Sequence, residues 1–89
     1  MPEQIHLTLV VRQGCHLCEV AQNDLARVLG RFSAEYPDTG YQVELAELDS
    51  KPEFEKYTDE IPVLLINNKQ VAFWRIDEDR VFEQLRKLV

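Results

Sequence analysis

The sequence predicts a small α/β domain in which strands and helices follow the order β-α-β-α-β-β-α. A nearly continuous apolar run at residues 5–11 leads into a segment with apolar residues at helical spacing. A second apolar run, at residues 61–66, is followed by an Asn-Asn pair and another short strand pattern. We expect a four-stranded mixed sheet flanked by helices, with residues 1–89 forming one domain around a single core.

The first predicted strand, at residues 5–11, is apolar throughout most of its length, which is typical of a central strand covered on both faces. Gly14 provides a turn, and the helix is predicted at residues 17–35, before the Pro37-Asp38-Thr39-Gly40 segment. The apolar residues of this helix share one face, which we expect to be buried: Leu17, Ala21, Leu25, Val28, Leu29 and Phe32.

Residues 41–48 alternate, with the apolar residues Val43, Leu45 and Leu48 among polar neighbours, and predict a second strand less buried than the first. A strand–helix–strand unit makes this strand parallel to the first. A short helical turn is expected at residues 53–57. Pro62 cannot donate to a strand ladder, so it must lie at the beginning of the third strand.

The last third of the chain predicts a hairpin and a helix. Asparagine tolerates positive φ, so residues 67–69 form the turn, and residues 70–74 form the returning strand. Acidic residues at 77–79 begin the last helix and basic residues at 86–87 end it, matching its dipole. Its buried stripe is expected to comprise Val81, Phe82, Leu85 and Leu88.

Composition narrows the range of functions. The net charge of −6 provides no basic stripe for phosphates, so we expect no nucleic-acid partner. No apolar stretch approaches the roughly 20 residues of a membrane span, and the N-terminus lacks a signal-peptide pattern. We therefore expect a cytoplasmic protein with no membrane partner. In that reducing compartment, two cysteines indicate catalysis or redox sensing instead of a structural disulfide.

Cys15 and Cys18 lie where the first strand gives way to the helix. The first N–H groups of a helix are unpaired and its dipole is positive there, which favours an anion. Such a position can lower the pKa of a thiol from about 8.5 to about 3.5–7.5. We expect Cys15 to be the exposed thiolate and Cys18 to be less accessible. Because so small a disulfide ring adds little stability, the spacing favours a bond that is made and broken.

A structural role, a metal site and haem attachment are the other interpretations of the cysteine pair. Two buried structural cysteines are disfavoured by the spacing after a turn. Zinc needs four ligands, and one chain offers only Cys15, Cys18, His6 and His16, so we expect no metal within one chain. A metal ion bound by Cys15 and Cys18 of two chains remains an alternative. Haem attachment would need histidine where Glu19 stands.

Two residues near the pair have open roles. Arg12, three residues before Cys15, would steady the thiolate or hold a substrate carboxylate, although an arginine at a strand end is often only solvated. His16, when protonated, would stabilise the thiolate by charge, or it is an ordinary surface residue.

The element order with a C-x-x-C motif after the first strand is the thioredoxin-like arrangement. The chain resembles the small glutaredoxin-like family called DUF836 over nearly its whole length. The resemblance rests on the Arg-Gln-Gly-Cys-His-Leu-Cys segment at 12–18, Glu-Leu-Asp at 47–49, and the stretch from Tyr57 to Ile61-Pro62-Val63.

This resemblance implies a dithiol–disulfide oxidoreductase without a bound cofactor. By position, Cys15 would be the nucleophile and Cys18 the resolving cysteine, with Arg12 as the basic residue before them. Ile61–Pro62 would be a cis peptide bond, with the Ile61 backbone pairing with the substrate's cysteinyl unit. Asp77, at the start of the last helix, would grip glutathione.

The resemblance also implies partners: a protein or small-molecule disulfide, with glutathione or a thioredoxin-type reductase as electron source. Glutaredoxins, however, carry two glycines where Trp74 and Arg75 stand, and proline and tyrosine where His16 and Leu17 stand. Since glycine permits close backbone approach, we expect glutathione to be used slowly. The alternative from another class is a redox-sensing or partner-binding module without general turnover.

Overall fold

The computed structural model describes residues 4–89. Its strands and α-helices are β1 (Ile5–Val11), α1 (His16–Glu35), β2 (Tyr41–Glu47), β3 (Val63–Ile66), β4 (Lys69–Phe73) and α2 (Glu78–Arg86). Two 3₁₀ helices, Leu48–Ser50 and Pro52–Tyr57, lie between β2 and β3, where the sequence predicted one helical turn. The sheet order is β2-β1-β3-β4, with β1 parallel to β2 and antiparallel to β3. The predicted element order and mixed sheet are confirmed.

The sheet is covered on both faces, and the central strand β1 contributes to both cores. One core lies under α1 and α2, and Leu7 and Leu9 are among its members. The other lies under the 3₁₀ helices and comprises Val10, Ala46, Leu48, Phe54, Tyr57, Val63 and Leu65. Because successive strand residues point to opposite faces, the continuous apolar run of β1 fills both cores at once.

The two α-helices pack against each other through aromatic rings. Phe32 is fully buried, and its ring lies 5.2 Å from that of Tyr36 and 6.3 Å from that of Phe82. The guanidinium of Arg31 lies 4.2 Å from the centre of the Phe82 ring and donates a 2.9 Å hydrogen bond to Asp79. The helix pair therefore combines buried apolar area with a charged rim.

The second strand is less buried than the first, as the sequence predicted, and Val43 and Leu45 show why. Their register opposite Leu7 and Leu9 places them on the helix side of the sheet. They are nevertheless 43% and 55% exposed, because β2 is an edge strand and the helices leave these positions uncovered. Alternation therefore gives the face of a side chain but not the extent of the layer above it.

Two helix positions predicted to be buried are also exposed. Leu17 is 46% exposed in the first turn of α1, and Leu88 is 48% exposed because α2 ends before it, at Arg86. The other predicted apolar positions of both helices are buried. The hairpin turn is as predicted, with positive φ at Asn67 and Asn68. Within residues 4–89, no helix has the length and apolar character needed to cross a membrane.

Candidate active site

Cys15 is the N-cap residue of α1, which begins at His16, one residue before the start predicted at residue 17. Its Sγ atom accepts a hydrogen bond from the backbone N–H of Cys18, at 3.1 Å. Serine, threonine, aspartate and asparagine usually fill this role, so the sulfur here takes the place of a capping oxygen. Gly14, with φ of +73°, makes the turn that brings the chain from β1 to this position.

The two cysteines differ in exposure, as predicted. Cys15 is partly exposed, whereas Cys18 is only 3% exposed and lies on the buried side of α1. Their sulfurs are disulfide-bonded, and their Cα atoms are 5.2 Å apart, within the usual range for a disulfide. A reagent approaching from solvent therefore meets the sulfur of Cys15 first.

The start of β3 lies at the same end of the sheet as the end of β1, which the cysteine pair follows. Val63 is opposite Val10 in the antiparallel ladder, so the chain entering β3 is next to the chain leaving β1. The Ile61–Pro62 peptide bond is cis, and Pro62 is fully buried. Ile61 is half-buried and faces the same groove as His16.

This groove, here called the site groove, has a volume of about 580 Å³. The first two turns of α1 form one side, and residues next to β3 and β4 form the other. Its lining comprises His16, Leu17, Val20, Ala21, Asp24, Ile61, Trp74 and Arg75. The lining is mostly apolar, and Leu17, Val20 and Trp74 are large apolar side chains 46%, 39% and 54% exposed. An apolar surface therefore adjoins the partly exposed sulfur.

Trp74 is fixed in this groove by its backbone and by its ring. It has φ of +65°, a conformation that glycine adopts most easily. Its backbone N–H donates to the carbonyl oxygens of Pro62 (2.8 Å) and Glu60 (3.2 Å). Its indole Nε1–H donates to the carbonyl of Asp59 at 2.8 Å, and its ring contacts Phe73 edge to face. Trp74 thus combines a backbone conformation that favours glycine with a large ring.

Residues 6–86 match the family model of the glutaredoxin-like domain (DUF836). The chain belongs to this glutaredoxin-like family. A glutaredoxin-like protein of Dictyostelium discoideum is 26% identical over 90 residues, which cover 98% of this chain and 81% of that protein. This relative agrees with the resemblance drawn from residues 12–18 and 57–63.

Solved structures show the same fold. A Staphylococcus aureus protein of unknown function superposes with a TM-score of 0.71 at 13% identity, covering 96% of this chain and 91% of that one. The germline-specific thioredoxin Deadhead of Drosophila melanogaster superposes with a TM-score of 0.56 at 18% identity, covering 97% and 82%. The thioredoxin-like fold predicted for this glutaredoxin-like chain is thereby confirmed.

Arg12 of the glutaredoxin-like domain has a hydrogen-bond acceptor within the chain that the sequence did not indicate. Its Nη2 donates a 2.8 Å hydrogen bond to the backbone carbonyl of Thr58. This bond directs its side chain to the turn before Pro62, and within residues 4–89 it makes no ion pair. Its role toward a thiolate or a substrate carboxylate stays a prediction.

His16 and Asp77 lie in different surroundings. His16 lines the site groove, and its Nδ1 is 3.9 Å from a carboxylate oxygen of Glu19. Asp77 is the N-cap of α2, where its Oδ1 accepts the backbone N–H of Arg80 at 3.2 Å, and it does not line the groove. The structure thus groups His16 and Ile61 in one groove, while a contact of Asp77 with glutathione stays a prediction.

The sequence did not indicate Leu17 and Val20 as groove residues, nor Asp59, which lies outside the groove lining and accepts the Trp74 indole. Residues 17, 20 and 21 have the i, i+3, i+4 spacing of a core stripe, so their pattern gave no sign that Leu17 and Val20 are exposed. No local pattern could have indicated Asp59, which takes part only through its backbone carbonyl. No cluster of three or more residues suited to a metal ion occurs within residues 4–89.

Proposed function

We propose that this glutaredoxin-like protein is a dithiol–disulfide oxidoreductase that uses the Cys15–Cys18 pair. The observation that carries the proposal is the position of the Cys15 sulfur at the N-terminus of the 20-residue helix α1, where it accepts the N–H of Cys18. A helix N-terminus and a donated hydrogen bond both stabilise a thiolate relative to a thiol. The reactive form is therefore favoured at the more exposed of the two sulfurs.

The reaction starts with the reduced pair. The Cys15 thiolate attacks one sulfur of a substrate disulfide, which forms a mixed disulfide and releases the other substrate sulfur as a thiolate. Cys18 gives up its proton and attacks the Cys15 sulfur, which forms the Cys15–Cys18 disulfide and releases the second substrate thiolate. Two electrons and, after protonation, two protons have passed to the substrate. An external dithiol or glutathione then returns two electrons to the pair.

The site groove indicates which substrates fit beside Cys15. Leu17, Val20 and Trp74 offer exposed apolar surface, which an apolar side chain near the cysteine of a protein substrate would cover. Glutathione has charged ends and no large apolar side chain, so it gains little there. We therefore propose a protein disulfide as the substrate, with the Ile61 backbone pairing with its extended chain.

The same groove supports a thioredoxin-type reductase as the electron source, because a protein reductant would also bury this apolar surface. Glutathione would be a slower reductant or substrate. A cytoplasmic location suits this reaction, since that compartment keeps the pair reduced between turnovers. These partners and this location belong to the proposal.

A second candidate is a redox-sensing or partner-binding module. Trp74 favours it, since a fixed ring that fills part of the groove suits one dedicated partner better than many substrates. Such a module would oxidise and reduce its cysteine pair once and would not turn over a general disulfide.

The test is steady-state reduction of a peptide disulfide, with electrons from NADPH through a thioredoxin reductase and separately through glutathione reductase and glutathione. The unmodified protein should turn over many times, Cys15→Ser should be inactive, and Cys18→Ser should accumulate a mixed disulfide visible by mass spectrometry. Reversible oxidation of the pair without multiple turnover would favour the sensor. Full activity in Cys15→Ser would exclude both functions.

A further inference from the structure

We propose that Arg12 and Trp74 are positioning residues that hold the turn at residues 58–60 and, through it, Ile61 at the site groove. The kinetic consequence rests on the proposed function, whereas the positioning itself is a property of the fold. Arg12 follows β1 and Trp74 follows β4, so the turn is held from two separate parts of the sheet.

Arg12 and Trp74 donate hydrogen bonds to the backbone carbonyls of the three consecutive turn residues, Thr58, Asp59 and Glu60. The guanidinium of Arg12 donates to the carbonyl of Thr58 at 2.8 Å. The indole Nε1–H of Trp74 donates to the carbonyl of Asp59 at 2.8 Å, and its backbone N–H donates to that of Glu60 at 3.2 Å. The Thr58 and Asp59 bonds depend on the side chains, so substitution can remove them one at a time.

Without these bonds the turn has little to fix it. Thr58 and Asp59 are exposed, and the segment belongs to no strand or helix. Its other bonds are local or long. The N–H (3.1 Å) and the hydroxyl (2.6 Å) of Thr58 donate to the carbonyl of Glu55, the N–H of Glu60 donates to that of Tyr57 (2.9 Å), and Gln70 Nε2 lies 3.4 Å from the Glu60 carboxylate. Exposed turns with so few contacts open readily. Side-chain donors therefore take over the role that water usually fills for exposed carbonyls.

The position of the turn gives these bonds a consequence for substrate binding. It connects the buried Tyr57 to Ile61, whose side chain lines the site groove. A shift of the turn would move the backbone of Ile61 relative to the cysteine pair. Arg12 thereby acts on substrate binding through Thr58, without contact with the substrate. Trp74 acts through Asp59 in addition to the apolar surface that it offers in the site groove.

The variants that test this remove one donor each and keep most of the side-chain volume: Arg12→Met and Trp74→Phe. Arg80→Met and Tyr41→Phe are matched controls, because Arg80 has no side-chain hydrogen bond within residues 4–89 and the Tyr41 hydroxyl contacts only Ser33. The first measurement is amide hydrogen exchange at Thr58 and Glu60 in the oxidised protein. The second is the kcat and KM of a peptide disulfide and of bis(2-hydroxyethyl) disulfide, which has no peptide backbone.

In both test variants we expect exchange at Thr58 and Glu60 to rise about two- to tenfold, the change expected for one hydrogen bond, with no rise in the controls. The KM of the peptide disulfide should rise by a similar factor while its kcat changes little. Turnover of the small disulfide by Arg12→Met should stay within about twofold of the unmodified protein, since this substrate makes no backbone pairing. For Trp74→Phe, which also alters the groove surface, the loss with the small disulfide should be smaller than the loss with the peptide disulfide.

Unchanged exchange at both amides would overturn the proposal. Equal losses with the peptide and the small disulfide would also overturn it, because they would place Arg12 or Trp74 at the reacting sulfur instead. If the unmodified protein reduces neither disulfide, the proposed function fails, and the exchange measurement alone then decides whether the turn is held by these residues.

Discussion

The N–H of Cys18 donates a 3.1 Å hydrogen bond to the sulfur of Cys15, so the exposed cysteine caps the helix that buries its partner. One contact thus links local folding to redox chemistry. The cap stabilises the helix start, and the same donor stabilises negative charge on the exposed sulfur. Reduction leaves this geometry available to a Cys15 thiolate, which accepts the hydrogen bond more strongly than a neutral thiol.

We predict that Cys15 is the faster-reacting thiol. In Cys18→Ser, which retains Cys15, alkylation at about pH 6 should be faster than in Cys15→Ser, because the helix N-terminus favours the thiolate there. The rates are followed against pH by mass spectrometry. In denaturant the two variants should react equally, which controls for intrinsic reactivity. Faster reaction of the thiol retained in Cys15→Ser would reverse the assigned roles.

The buried aromatic contact of α1 gives a prediction on stability. Phe32→Ala should lower the free energy of unfolding by about 3–5 kcal/mol, because a fully buried ring between Tyr36 and Phe82 is lost. Phe73→Ala is the matched control, since Phe73 is 47% exposed, and it should cost less than about 1 kcal/mol. Urea unfolding of the oxidised protein measures both. Equal losses of unfolding free energy in Phe32→Ala and Phe73→Ala would contradict the position of the core.

Arg31 should contribute more to stability than an arginine paired only within its own helix. Its guanidinium contacts the Phe82 ring and donates a hydrogen bond to Asp79, both on the other helix. Arg31→Met is therefore expected to lower the free energy of unfolding by about 1 kcal/mol. Arg86→Met is the comparison and should cost less, because within residues 4–89 the side chain of Arg86 hydrogen-bonds only Glu83, three residues earlier.

The Arg86 comparison should not depend on pH. The hydrogen bond that Arg86 donates to Glu83, together with the negative charge of Glu83, raises the pKa of Arg86. A cation with a raised pKa loses its contribution only as the pH rises through that pKa, so Arg86 stays charged throughout the pH range of folding assays. Thermal unfolding at neutral pH, with and without added salt, measures both variants. A larger loss in Arg86→Met would show that the contact between α1 and α2 contributes little.

The sequence predicted most of the fold because its local signals agree with the packing. The apolar run of β1 predicted both its length and its burial on two faces, and the acidic and basic ends of α2 predicted its extent. The low burial of β2 was also predicted, but the exposure of Val43 and Leu45 could not be, because alternation indicates only a face, whereas burial also depends on how far the helices extend over the edge strand.

The site was predicted less completely than the fold, for a physical reason. Cys15 and Cys18 could be recognised because their chemistry depends on their own side chains and on a local turn. The bonds from Arg12 to Thr58 and from Trp74 to Asp59 join residues far apart in sequence and end on backbone carbonyls. Any residue type offers such an acceptor, so no sequence pattern marks these contacts.

The last prediction concerns glutathione, which we expect to be a poor substrate and reductant. Trp74 occupies part of the groove in which glutaredoxins present a glycine backbone, and its bond to Asp59 keeps the ring from moving aside. Arg75 would attract a carboxylate of glutathione, but an exposed charged contact is worth only about 1 kcal/mol or less. That gain is too small to offset a blocked backbone approach.

The measurement compares turnover of a glutathione mixed disulfide, with glutathione as reductant, to turnover of a peptide disulfide with a thioredoxin system. In the unmodified protein, turnover of the peptide disulfide with the thioredoxin system should be the faster of the two. Trp74→Gly should raise the ratio of glutathione to peptide turnover, because glycine accepts the φ of +65° and frees the groove. Arg80→Met controls for changes in charge and should leave the ratio unchanged. Efficient glutathione turnover by the unmodified protein would show that Trp74 and Arg75 are no obstacle to its binding.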